Sequence, residues 1–141
     1  MTEVHDSPTE WVADHIQRYV ETDGADGQDW RGVPTLLLTT TGRKSGQLRR
    51  TALIYGEHGG SYLLVASQGG APKHPLWYLN LVEHPEVELQ VGADKFTAIA
   101  RTASEQEKPE LWAQMVELFP NYAEYQQKTD RPIPVVICDR A

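Results

Sequence analysis

Residues 34–66 read PTLLLTTTGRKSGQLRRTALIYGEHGGSYLLVA, and this stretch decides the fold. Residues 34–40 (PTLLLTT) form a short, largely apolar run that reads as a mostly buried strand. Residues 51–56 (TALIYG) are a second strand and residues 61–66 (SYLLVA) a third, with the tight-turn signal His58-Gly59-Gly60 between them. Further on, strands at 87–91 and 95–102 flank Gly92-Ala93-Asp94, a second hairpin signal. Residues 133–138 (IPVVIC) read as a last strand, with Pro134 at its end or on an edge because proline has no N–H to donate.

Helices are grafted between these strands. Ser7-Pro8-Thr9-Glu10 is a capping box with proline in the first turn, and Val12, His15, Ile16, Tyr19 and Val20 then recur at helical spacing after Trp11. Residues 21–29, polar and glycine-containing, read as a loop too acidic for a phosphate site. Residues 75–83 form a short helix halted before Pro85. Residues 105–118 form another, broken at Pro120-Asn121, and 122–128 continue it. Strands dominate, hairpins come early and βαβ alternation is missing, so a doubly wound dinucleotide fold is disfavoured. The expected fold class is α+β, a small antiparallel barrel flanked by helices. The expected organisation is one domain over residues 1–141, with an N-terminal helix and loop (1–33) and a barrel core (34–141).

Bulk properties narrow the function. A chain of 141 residues with 40% hydrophobic content can bury a real core. Without an apolar run of roughly 20 residues no membrane span is expected, and the acidic N-terminus is no signal peptide. One cysteine, Cys138, excludes an internal disulfide and is compatible with a reducing cytoplasm. A net charge of −7 argues against nucleic-acid binding, which needs clustered positive charge, and makes any local basic cluster informative.

One such cluster exists. Arg43, Lys44, Arg49 and Arg50 place four of 13 basic residues within eight positions, between Gly42 and the second strand. Guanidinium groups bind phosphate or carboxylate bidentately and lysine adds a mobile charge, so the segment reads as an anion clamp. It reads equally as a solvated basic hairpin that guards a sheet edge. Residues 67–80 (SQGGAPKHPLWYLN) end a strand, turn on two glycines and open a helix whose free N–H groups attract anions. GxGxxG and the Walker loop are absent, and taken alone the segment is more simply a structural loop. Tyr122 and Tyr125 share a helical face, with Phe119 three residues before. They could pack on an apolar substrate and donate to an oxyanion, although sealing a core is the simpler role. The five histidines show no metal spacing, and neither a GxSxG elbow nor a nucleophile–base pair is visible. An enzyme built this way leaves the hard chemistry to a redox cofactor.

Together GRKSG (42–46), VASQGGAPKHPLWYLNL (65–81), VELQVG (87–92) and YAEYQQKTDRPIPV (122–135) resemble the deazaflavin-dependent nitroreductase family. These are small F420-dependent quinone and nitro reductases of split β-barrel fold. The resemblance covers roughly residues 34–138, and GGAPKHPLWYLN is its most specific part, since no general structural rule demands it. It implies that Lys44, Ser45 and Arg49, helped by Arg43 and Arg50, grip the phosphate and polyglutamate tail of coenzyme F420. Thr51, Ala52, Leu53 and Ile54 would lie along the cofactor, with Val65, Ala66, Ser67 and Gln68 near the deazaflavin. Leu76, Trp77, Tyr78, Leu79 and Asn80 would form another wall. Tyr122 and Tyr125, with Ser67, would stabilise or protonate the reduced acceptor. Phe119 stands where the family can carry a third tyrosine, a departure that bears on nitroimidazole activation more than on quinone reduction.

The expected activity is hydride transfer from reduced deazaflavin to a quinone, nitroaromatic or other electron-poor acceptor. The competing readings are an FMN-dependent oxidoreductase on the same barrel and a non-catalytic deazaflavin or haem carrier. No metal and no nucleic-acid partner is expected. The location expected is cytoplasmic, at most loosely peripheral to the membrane, because Glu3, Asp6, Glu10, Asp14 and Glu21 repel anionic lipid. A monomer is expected over a dimer, with the helices covering the exposed sheet.

Overall fold

The structure is a computed structural model that describes residues 4–6, 10–27, 29–30 and 33–141. Strands β1 (Val4–Asp6), β2 (Asp29–Trp30), β3 (Val33–Thr41), β4 (Leu48–Ile54), β5 (Gly56–His58), β6 (Ser61–Val65), β7 (Glu86–Val91), β8 (Asp94–Thr102) and β9 (Val135–Arg140) form one sheet. Its order is β1-β4-β3-β7-β8-β9-β6-β5, with β2 paired to β3. Every pairing is antiparallel except β1 with β4. Helices α1 (Glu10–Glu21), α2 (Leu76–Glu83), α3 (Lys108–Leu118) and α4 (Asn121–Gln127) pack around it.

The sheet curls because one stretch of chain serves both of its ends. β4 pairs with β3 through Thr41↔Leu48 to Thr35↔Ile54, and after Tyr55 the same chain becomes β5 and pairs with β6. The result is the split β-barrel expected from the sequence. Side chains alternate across it, and along β3, β6 and most of β9 both faces are covered. Leu36, Leu38, Leu64, Val87, Leu89, Val136 and Cys138 fill the interior. The intervening Leu63, Val65, Val135 and Ile137 pack under Leu111 and Met115 of α3. Leu37 meets Ile16 and Tyr19 of α1. Two buried faces explain why these strands read as unbroken apolar runs rather than as alternation.

The predicted elements recur with shifted boundaries. Gly59 and Gly60 adopt φ of 58° and 86°, the left-handed pair that a two-residue hairpin turn requires. The last strand starts at Val135 rather than 133, because Pro134 cannot donate to the ladder and only its carbonyl is used, by the Ala66 N–H. α3 starts at Lys108 rather than 105. Ser104 and Glu107 form the reciprocal pair of a capping box, 3.2 and 3.0 Å, which spends 105–107 on a turn. The N-terminal capping box at Ser7, Pro8 and Thr9 lies outside the described residues. β1 and β2 fall where only helix and loop were expected. At three and two residues, neither has a periodicity to read, and only their partners β4 and β3 define them.

Helix α1 is anchored through one phenol. The Tyr19 hydroxyl accepts the Gly92 N–H at 2.6 Å and lies 3.1 and 3.2 Å from the carbonyls of Thr35 and Gln90. Burial raises its pKa, so it remains a neutral hydroxyl. Among the described residues, no helix is long and apolar enough to cross a membrane.

Candidate functional site

A cavity of about 1040 Å³ lies between the outer face of β4 and the elements around it. Thr51, Ala52, Leu53 and Ile54 of β4 line it, none of them fully buried by the protein itself. Arg43, Lys44 and Ser45 from the β3–β4 loop and Arg49 and Arg50 from β4 make its basic wall. The loop is narrower than the sequence suggested. It spans only Gly42 to Gln47, closed by Gly42 N–H to Gln47 O at 2.7 Å and Gly46 N–H to Gly42 O at 2.8 Å. Gly46 sits at φ 73°, a left-handed conformation that costs a residue with Cβ. Arg49 and Arg50 belong to the strand, opposite Thr40 and Thr39.

The basic loop is aimed by α2. Asn80 is buried, and its Oδ1 accepts the Arg43 N–H at 3.1 Å while its Nδ2 donates to Thr40 Oγ1 at 3.2 Å. Pro75, Leu76 and Trp77 bring the start of α2 to the cavity, and Leu76 is 71% exposed. Exposed apolar surface beside free helix-start N–H groups suits a ligand with both an apolar and an anionic part.

The aromatic wall comes from the other end of the chain. Phe119, Tyr122 and Tyr125 form a mutual cluster with centroids 5.1 to 6.4 Å apart, and all three line the cavity. Tyr122 is only 5% exposed, and its hydroxyl has no protein hydrogen-bond partner among the described residues. Yet no buried side-chain oxygen or nitrogen among the described residues is left unsatisfied, so this hydroxyl is open to the cavity that Tyr122 lines. Burial, with the neighbouring Tyr125, pushes its pKa up, so it is a proton-bearing donor rather than a base. Val65, Ser67, Gln68 and Gly69 complete this side.

Of the residues singled out in the sequence, Ala66, Tyr78 and Leu79 are not part of the lining. The Tyr78 hydroxyl pairs with Thr102 Oγ1 at 2.9 Å, and its ring lies 4.8 Å from that of His74. Val12 and His15 of α1 line the cavity without having been anticipated. Their signal was a histidine on an otherwise apolar helical face; His15 Nε2 lies 2.7 Å from Gly27 O. Cys138 plays no part. Burial raises its thiol to about 12, leaving it inert. No group of three metal-ligating side chains occurs among the described residues.

A split β-barrel whose cavity runs from a basic loop to a tyrosine cluster has the form of a cofactor-dependent oxidoreductase, the cofactor supplying the redox chemistry and the protein the binding surface. The chain belongs to the F420H(2)-dependent quinone reductase family, whose model matches residues 11–140. An F420H(2)-dependent quinone reductase of Mycobacterium tuberculosis is 42% identical over 130 residues, 89% of this chain and 87% of that protein. A solved F420-H2 dependent reductase is 47% identical, with TM-score 0.70, over 75% of this chain and 94% of its own. A second solved structure is 45% identical, with TM-score 0.73, over 94% of this chain and all of its own, and is described as a domain-swapped dimer. That finding overturns the monomer expected from the sequence. The helices were expected to cover the sheet, but Ile99 of β8 and Val82 of α2 remain 46% and 55% exposed.

Proposed function

We propose that this chain is an F420H2-dependent reductase that passes hydride to a quinone, and that the cavity described above is where it does so. The carrying observation is that one cavity holds both Arg43, Lys44, Arg49 and Arg50 and the Phe119, Tyr122 and Tyr125 cluster. A long ligand with an anionic tail and a planar head fits such a lining, and a compact one does not use it. On this reading Lys44, Ser45 and Arg49, with Arg43 and Arg50, hold the tail. Thr51, Ala52, Leu53, Ile54, Val65, Gln68, Leu76 and Trp77 bound the ring system, and Asn80 sets the loop.

The bound deazaflavin supplies a hydride donor. The protein supplies position and a proton. β4 and the start of α2 hold the reacting faces together and limit water. A quinone that gains hydride develops an oxyanion, and the Tyr122 hydroxyl, with Tyr125 and Ser67 in the same lining, would donate to it. The functional unit is a dimer, as in the domain-swapped relative.

The test is titration with oxidised F420, then stopped-flow oxidation of F420H2 by menadione. Tight binding and quinone-dependent reoxidation support the reading; absence of binding rejects it.

A further inference from the structure

Arg131 lies outside the cavity lining, yet its side chain makes four bonds to the segment that forms one wall. Nε donates to Ala71 O at 2.8 Å and Nη2 to Ser67 O at 2.7 Å. Nη1 donates to Ala66 O and to His74 Nδ1, each at 3.2 Å. No ion pair between Arg131 and a carboxylate occurs among the described residues. The guanidinium is therefore committed to main-chain carbonyls and an imidazole rather than to a counter-charge. Three separate nitrogens of a planar fork meet the three carbonyls, whereas an ammonium presents its donors from a single atom and cannot reproduce that spread.

The segment needs holding. Gln68, Gly69 and Gly70 adopt φ of 46°, 64° and 84°, three successive left-handed residues of which one carries a side chain. Such a backbone persists only where its surroundings over-determine it. Ser67, Gln68 and Gly69 face the cavity. Gly70 lies against α4 so closely that a Cβ there would sit 2.6 Å from Tyr125 O and 3.0 Å from Lys128 Cβ. Arg131 itself is fixed from α4. Gln126 Nε2 donates to Arg131 O at 2.8 Å and Gln126 Oε1 accepts the Ile133 N–H at 2.9 Å. One connected set of bonds thus runs from the helix of Tyr122 and Tyr125, through Gln126 and Arg131, to the Ser67 turn.

We infer that Arg131 is a positioning residue. It clamps the strained turn at 67–70 against α4 and so sets the gap between the ring-binding wall and the tyrosine wall. The inference rests on the reading of the cavity given above, and the effect is through geometry alone, since Arg131 lies outside the cavity lining. The basic tail clamp lies on other elements, so loss of Arg131 separates turnover from cofactor binding.

The experiment compares wild type with Arg131→Lys and Arg131→Gln. Amide hydrogen exchange is measured first, without ligand, followed by F420 titration and menadione kinetics. Exchange at residues 67–71 accelerates while that of β3 and β7 is unchanged. Menadione turnover falls on the order of tenfold or more, since small misplacements near the reacting atoms are costly. F420 affinity stays within about threefold, and Lys does not rescue. Gln126→Ala, which loosens the backbone carrying Arg131, shows the same pattern more weakly and replaces the Arg131 variants if those do not fold. Unchanged exchange at 67–71 with unchanged turnover overturns the inference. So does a parallel loss of melting temperature, F420 affinity and turnover, which is plain destabilisation. Failure of wild type to bind F420 defeats the cofactor reading instead, and the exchange comparison still decides whether Arg131 clamps the turn.

Discussion

The side-chain amide of Asn80 accepts the main-chain N–H of Arg43, 37 positions earlier, at 3.1 Å, and by this bond a helix holds the loop that carries the basic wall. The same amide donates to Thr40 Oγ1, so both of its functional atoms are used inside a buried site. Replacing it leaves the Arg43 N–H without its partner. Asn80→Leu is expected to cost about 1–3 kcal/mol of stability. F420 affinity falls with it although no charge is removed, as thermal melts and fluorescence titration of the variant will read.

The basic wall has a different signature. Lys44 and Arg49 are exposed, and Arg49 is steadied by Gln47 Oε1 at 3.1 Å. Lys44→Ala and Arg49→Ala should each weaken F420 binding about tenfold and leave melting temperature nearly unchanged. Binding to wild type should fall as salt is raised, and less steeply in the double variant. Equal salt dependence in the two proteins would place the tail elsewhere.

Tyr122 separates stability from turnover. Because its hydroxyl has no protein partner, Tyr122→Phe is expected to change stability by less than about 1 kcal/mol. Turnover with menadione should fall about 10- to 100-fold, the loss of one donor to a developing oxyanion. Its raised pKa keeps the phenol protonated through neutral and mildly alkaline pH, so this group adds no alkaline limb there. If turnover survives in Tyr122→Phe and in the double variant with Tyr125→Phe, solvent provides the proton.

His74 predicts an acid sensitivity. Burial, and then the Arg131 cation, lower its pKa from the ordinary 6.5. The unfolded chain therefore binds this proton more readily than the native one. The stability is present above about pH 6.5 and lost as pH falls through the lower native value. Melting temperature measured between about pH 7 and pH 5 should fall in wild type and fall less in His74→Gln, which cannot take up the proton.

The assembly is tested by mass. Light scattering on the purified chain should give twice 15.9 kDa at micromolar concentration. A mass of one chain across the dilution range would separate this protein from its domain-swapped relative.

Sequence alone determined the strands at 34–40 and 61–65, the basic cluster, the tyrosine pair and the family resemblance; the stretch read as one strand at 51–56 is the end of β4 (Leu48–Ile54) and the start of a separate β5 (Gly56–His58). Each of these is local: an apolar run, a cluster of like charges, a helical spacing or a contiguous motif is complete within a few residues. Tertiary structure decided the rest. It paired β1 in parallel with β4, brought Val12 and His15 of α1 into the cavity, and turned Tyr78 and Leu79 out of the lining. It also gave Asn80 and Arg131 their work, the one reaching back to Arg43 and the other to Ala66, Ser67, Ala71 and His74. These bonds span 37 to 65 positions, and no periodicity connects their ends. A polar side chain's partner is set by how the sheet curls and where its helices land, so it becomes legible only when the fold has closed.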